Sequence, residues 1–169
     1  MIRLLQGSLG PDPLKPLEHG LGLYALRFLL GSLLISPLRD VTGVSLLRFR
    51  RAIGVWAFIY AALHLMVWLL LDLQLLWAQA FTDLAKRPYL LLGMAAFLML
   101  IPLVWTSRDS SIRRLGRGWR KLHLLALPAG CLGALHYALS LKTWQIEPIL
   151  YLGFAFFMIV WRQMNGRLL

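Results

Sequence analysis

Long apolar stretches alternate with short polar connectors along the whole chain. Four of these stretches meet or approach the roughly 20 residues that carry a helix across a bilayer's hydrocarbon. Residues 21–38 are interrupted only by Arg27. Residues 53–71 carry no formal charge and one histidine, 89–105 are uncharged, and 122–141 are uncharged with two histidines. A fifth run, 148–161, is shorter, but it opens on Pro148, which suits a first helical turn, and ends on Trp161, a residue at home at a membrane interface. The pattern predicts an all-α membrane protein, a polytopic helical bundle with five transmembrane helices.

The connectors set the orientation. Arg39, Arg48, Arg50 and Arg51 follow the first span, and Arg108, Arg113, Arg114, Arg117, Arg120 and Lys121 follow the third. Arg162 and Arg167 lie in the tail, whereas the other connectors hold Lys86, Arg87 and Lys142 with the acids Asp72, Asp83 and Glu147. Basic connectors stay in the cytoplasm, so the C-terminus is expected inside and the tail at residues 1–20 outside. That tail (GSLGPDPLKPLEHG at 7–20) reads as a loop between two helices, so an upstream helix is expected to be missing. In the outer connector at 72–88, Leu73, Leu76, Trp77, Ala80, Phe81 and Leu84 fall on one face of a helix. It reads first as a helix resting on the bilayer to join two spans, with a docking surface for an outer partner as the alternative. No internal repeat, low-complexity tract or linker is evident, so residues 1–169 are taken as one domain.

Composition agrees. Of 169 residues 59% are hydrophobic and 15% charged, more apolar surface than one soluble domain of this length can hide. A soluble enzyme, a disordered chain and a disulfide-built fold are excluded. The net charge of +11 does not indicate nucleic-acid binding, because the basic residues sit between apolar runs rather than in a patch on a soluble surface. The single cysteine, Cys131, lies in an apolar run and reads as a small core residue.

The histidines carry the candidate chemistry. His64, His123 and His136 fall inside spans, and His19 lies at the outer end of the first. Each alone reads as a packing or interhelical hydrogen-bonding residue. Their depths point further. His64 lies about 20 Å beyond Arg51 and His136 about 22 Å beyond Lys121, on helices running the same way. Two imidazoles at one level on adjacent helices can clamp a flat metal macrocycle, which predicts a bis-histidine haem toward the outside. His123 lies about 20 Å further in and marks a second, incomplete site. On a straight helix His123 and His136 differ by about 140° in azimuth, but Pro128 between them should kink the helix. Gly130 and Gly133 would admit a neighbouring helix or a cofactor. A copper or zinc site would need further ligands in the core. A transporter would need broken helices or polar residues at the midplane, for which Gly93, Pro102 and Pro128 are weak support. Arg27 reads as snorkelling to the outer interface, or as reaching a propionate or quinone.

Several strings resemble the MsrQ family, also called YedZ, within the ferric-reductase-like transmembrane group: RRAIGVWAFIYAALHL (50–65), KRPYLLLGMAAFLMLIPLVWTS (86–107), RLGRGWRKLHLL (114–125) and LHYALSLK (135–142). The resemblance implies a b-type haem protein of the bacterial inner membrane. It would pass electrons to MsrP, a periplasmic molybdenum-cofactor reductase that repairs methionine sulfoxide in envelope proteins. The donor would be the quinone pool or a cytosolic flavin reductase, with FMN as a further cofactor. The haem ligands, and so the metal ligands, would be His64, His136 and His123. Family members usually begin with one more transmembrane helix, absent here, and carry an aromatic where this chain has Leu127. The wider group brings four histidines for two haems. Where an inner partner for His123 would stand, this chain has Arg50 and Arg51, which would pair with haem propionates or a flavin phosphate, or serve only as positive-inside residues.

The expected function is transmembrane electron transfer by a subunit that is not catalytic alone. The sequence holds no Gly-rich dinucleotide fingerprint, so reducing equivalents would come from a separate molecule. The alternatives are a non-redox membrane anchor for a periplasmic partner and, less economically, a transporter.

Overall fold

The computed structural model describes residues 14–141 and 145–165. The expectations placed on residues 1–13, Lys142 and Arg167 lie outside the described residues. Among the described residues the regular structure is entirely helical: α1 (Leu14–Thr42), α2 (Leu47–Met66), α3 (Trp77–Lys86), α4 (Pro88–Trp105), α5 (Asp109–Leu115), α6 (Arg117–His123), α7 (Ala126–Ser140) and α8 (Ile146–Met164). Five stretches are long and apolar enough to cross a bilayer: Leu14–Thr42, Leu47–Asp72, Pro88–Trp105, Arg117–Ser140 and Ile146–Met164. They match the five apolar runs.

Their ends differ from the apolar boundaries. α1 begins at Leu14, so the second part of the expected outer tail is helix. α2 begins at Leu47, which puts Arg48, Arg50 and Arg51 on its first turns rather than in a loop. Backbone hydrogen bonding continues a helix past the hydrocarbon for as long as caps allow, and an apolar run does not register those polar turns. Gly43 ends α1 with a left-handed φ of 74°, its N–H donating to Arg39 O at 2.9 Å. Pro88 starts α4, and Arg87 before it is held extended.

α1 is the hub. It packs against α2, α7 and α8, while α4 packs on α7 and touches α2. Its buried residues Leu26, Leu29, Leu30 and Leu33 recur at helical spacing and meet Ala57, Leu100, Leu103, Ala129, Ala134 and Met158 from the other spans. In the apolar window of the α1 span 39% of residues are buried, against 11% for the α2 span, so α1 is the more enclosed of the two. Cys131 packs partly buried against the core as a small apolar residue.

Two irregularities shape the bundle. Beyond Met66, α2 widens into a π-turn over Val67–Asp72, with Leu73 N donating to Trp68 O at 2.9 Å. The chain then reverses through Gln74 and Leu75, both left-handed, into α3. The amphipathic face expected in this connector is divided: the helix starts only at Trp77, Leu73 and Ala80 are buried, and Trp77 and Phe81 are exposed. The second irregularity separates α6 from α7. Pro128 cannot donate to Leu124 O, which accepts from Leu127 N at 3.0 Å instead, and the helix tightens at Leu124 and Leu125. His123 and His136 therefore belong to different helical segments.

Candidate functional site

His64 on α2 and His136 on α7 meet at the end of the bundle where α1 and α4 begin. Their ring centres are 6.1 Å apart and their planes cross at 75°. Each ring is held by one backbone carbonyl: His64 Nδ1 lies 2.8 Å from Glu18 O, and His136 Nδ1 lies 2.7 Å from Tyr89 O. A carbonyl only accepts, so in each neutral ring Nδ1 carries the proton and Nε2 presents a lone pair. Neither Nε2 makes a hydrogen bond among the described residues.

Both contacts depend on a glycine. Gly22 stands one turn after Glu18 and Gly93 one turn after Tyr89, and each imidazole lies where the missing side chain would be. A Cβ on Gly22 would lie 3.1 Å from the His64 ring, and one on Gly93 would lie 2.7 Å from His136 Nδ1. Without a Cβ, the ring reaches the carbonyl of the preceding turn.

The pair opens on a cavity of about 650 Å³, within the roughly 300–1,000 Å³ range of small-molecule and cofactor sites. Small residues, among them Ala25, Ala61, Ala96, Ala129 and Gly133, keep it open, and Lys15, Asp72, Asp83 and Arg87 stand at its rim. Lys15 Nζ pairs with Asp72 at 3.3 Å and Arg87 Nε with Asp83 at 3.7 Å. Among the described residues no group of three or more His, Cys, Asp or Glu is placed to hold a metal ion. Two imidazoles with free Nε2 atoms therefore suit a metal that brings its remaining donors with it. With metal–imidazole bonds of roughly 2.0–2.1 Å, two imidazoles that would hold one metal between their Nε2 atoms need ring centres about 6 Å apart. The observed spacing fits a metallo-macrocycle.

His123 is elsewhere. Its Nε2 lies 3.1 Å from Thr106 Oγ1, and its ring stacks on Trp119 at 3.9 Å, while Trp119 Nε1 donates to Thr106 O. Thr106 Oγ1 itself donates to Pro102 O at 2.6 Å, so it accepts from His123. His123 does not line the cavity of His64 and His136. Arg50 makes no hydrogen bond or ion pair among the described residues. Arg51 pairs with Asp109 at 2.7 Å, tying α2 to α5.

Arg27 does not snorkel alone. Its Nε donates to Tyr151 OH and its Nη2 to Glu147 Oε1, both at 2.7 Å. Tyr137 OH completes the cluster by donating to Glu147 Oε2 at 3.2 Å. The His19 ring lies tilted by 49° against Tyr137, with ring centres 5.3 Å apart, and lines the same cavity as His64. Gly130 packs under Leu30 and Leu33, whereas Gly133 borders the cavity, so the two small residues divide the roles of helix contact and cavity wall.

Residues 20–134 match the family described as ferric reductase like transmembrane component. Two proteins named protein-methionine-sulfoxide reductase heme-binding subunit MsrQ, from Brucella anthropi and Brucella ovis, are 45% identical to the chain over 156 residues. The alignment covers 92% of this chain and 71% of each relative. The chain belongs to the MsrQ family. No solved structure matches it. Within this MsrQ-family chain, sequence reasoning located His64 and His136 but not what seats them. Nothing along the sequence marks Gly22, and Gly93 enters the sequence pattern only as a weak helix-breaking signal. The available signal was a glycine near the start of the helix preceding each histidine-bearing helix, which becomes distinctive only once the contacts are known.

Proposed function

We propose that this chain is a haem b electron-transfer subunit of the bacterial inner membrane, serving a periplasmic methionine sulfoxide reductase of the MsrP kind. One observation carries the reading: two imidazoles, 6.1 Å apart, line one cavity with both Nδ1 atoms tied to backbone and both Nε2 atoms without a hydrogen bond among the described residues. His64 and His136 would hold the haem through Nε2. A haem bound there supplies reversible one-electron chemistry, and the protein supplies ligation, orientation and a dry surround.

The membership in MsrQ, with relatives named as heme-binding subunits of a methionine sulfoxide reductase, supports the same reading. Arg39, Arg48, Arg50, Arg51, Arg108, Arg113, Arg114, Arg117, Arg120, Lys121 and Arg162 gather at the end of the bundle opposite the His64–His136 cavity, which supports a cytoplasmic side for that end and for the C-terminus. The cavity then faces the periplasm, where the partner reductase accepts electrons. The donor is the quinone pool or a cytosolic flavin reductase. His123, against Thr106 and Trp119, lies toward the donor side, on the path inward or at a second haem. Arg50, with no ion pair among the described residues, is the better placed of the two arginines for an FMN phosphate, since Arg51 already holds Asp109.

The test is a visible spectrum of protein purified from haem-replete cells. A sharp α-band on reduction, lost on His64→Ala or His136→Ala, is expected. A colourless wild-type preparation overturns the reading and favours a non-redox membrane anchor.

A further inference from the structure

Gly22 and Gly93 do more than allow helices to approach. The His64 contact joins residues 46 apart and the His136 contact residues 47 apart. In each case the first helix (α1 or α4) offers a carbonyl, the glycine one turn later offers the space above it, and a later antiparallel helix (α2 or α7) lays an imidazole into that space. No repeat is evident along the sequence, yet the same three-part device occurs in both helix pairs.

We propose that these are duplicated imidazole seats, in which Gly22 and Gly93 act as positioning residues that fix the tautomer and aim of His64 and His136. The inference rests on the haem reading given above. The physical reasoning is local. An imidazole on a helix can rotate about two side-chain bonds, and either nitrogen can carry the proton. The carbonyls of Glu18 and Tyr89 accept only from Nδ1–H, which selects the tautomer whose Nε2 can bind a metal, and the hydrogen bond makes that nitrogen a more basic ligand. The two seats are unequal in tolerance. A Cβ at position 93 would lie 2.7 Å from His136 Nδ1, closer than any real contact, so the ring must leave the carbonyl. A Cβ at position 22 would lie 3.1 Å from His64, which a small tilt relieves.

The experiment uses the full chain in detergent with Gly93→Ala, Gly22→Ala and, as a control, Gly153→Ala on α8, where an added Cβ meets nothing within 4 Å. In Gly93→Ala the low-spin two-histidine signal in paramagnetic resonance should give way to high-spin haem held by His64. Haem affinity should fall about 10–100-fold, the usual effect of removing an outer-shell partner. Gly22→Ala should stay low-spin but show a raised midpoint potential, because the Nδ1–H bond is weakened. Gly153→Ala should match wild type. Nitrogen-15 histidine spectra of the haem-free protein give a second readout: His64 and His136 should be Nδ1–H tautomers, with His136 losing that preference in Gly93→Ala. A merely structural glycine would leave tautomer and potential unmoved. Wild-type spectra and potential in Gly93→Ala, or Nε2–H tautomers in the haem-free wild type, overturn the seats. Absence of haem from the wild type overturns the functional reading instead and leaves the tautomer measurement to decide on the seats.

Discussion

Removing Glu147 should uncouple α8 from α1, by an amount that follows from the contacts. Its carboxylate accepts from Arg27 at 2.7 Å, from Tyr151 at 3.1 Å and from Tyr137 at 3.2 Å, joining α1, α7 and α8. Polar contacts between membrane helices average about 0.6 kcal/mol and reach about 1.7. A charge-assisted bond is roughly twice as strong as a neutral one, but the Arg27 and Glu147 side chains are 46% and 42% exposed, which moderates the gain. The coupling between Arg27 and Glu147 should therefore be about 1–2 kcal/mol. A double-mutant cycle of Arg27→Ala, Glu147→Ala and the pair, followed by reversible unfolding in mixed micelles, measures it. Each single variant should destabilise, and the double variant should lose less than their sum. A coupling below about 0.3 kcal/mol, within the scatter of independent sites, would refute the reasoning and return Arg27 to an isolated cation at the interface.

Two smaller effects test other parts of the bundle. Gly130→Val adds atoms where a Cβ alone would already lie 3.3 Å from Leu30 and 3.4 Å from Leu33, so it should destabilise by about 1–3 kcal/mol in the same unfolding assay. Arg51→Ala breaks an exposed pair with Asp109, whose side chains are 48% and 66% accessible, and should cost less than about 1 kcal/mol without altering the visible spectrum.

The five spans were legible because the hydrocarbon thickness imposes a run length that composition cannot disguise. The closeness of His64 and His136 followed from counting helical steps outward from basic boundaries, since rise per residue is nearly constant. What lay between them was not legible. The seats at Gly22 and Gly93 are contacts across helices, and glycine is common enough in membrane helices that its presence alone distinguishes nothing. Glu147 is 120 residues from Arg27, and no local pattern joins them. The partners of His123, Thr106 and Trp119, come from the turn after α4 and from α6, and no local pattern joins them.

The most direct measurement is haem per protein alongside the reduced spectrum, for wild type and for the His64→Ala, His136→Ala and His123→Ala variants. At least one haem per chain is expected in the wild type. The α-band of the His64–His136 haem should be lost with either of those ligands and retained in His123→Ala, because His123 is outside their cavity. A full complement of low-spin haem in His64→Ala or His136→Ala would contradict the claim that these two imidazoles grip one iron.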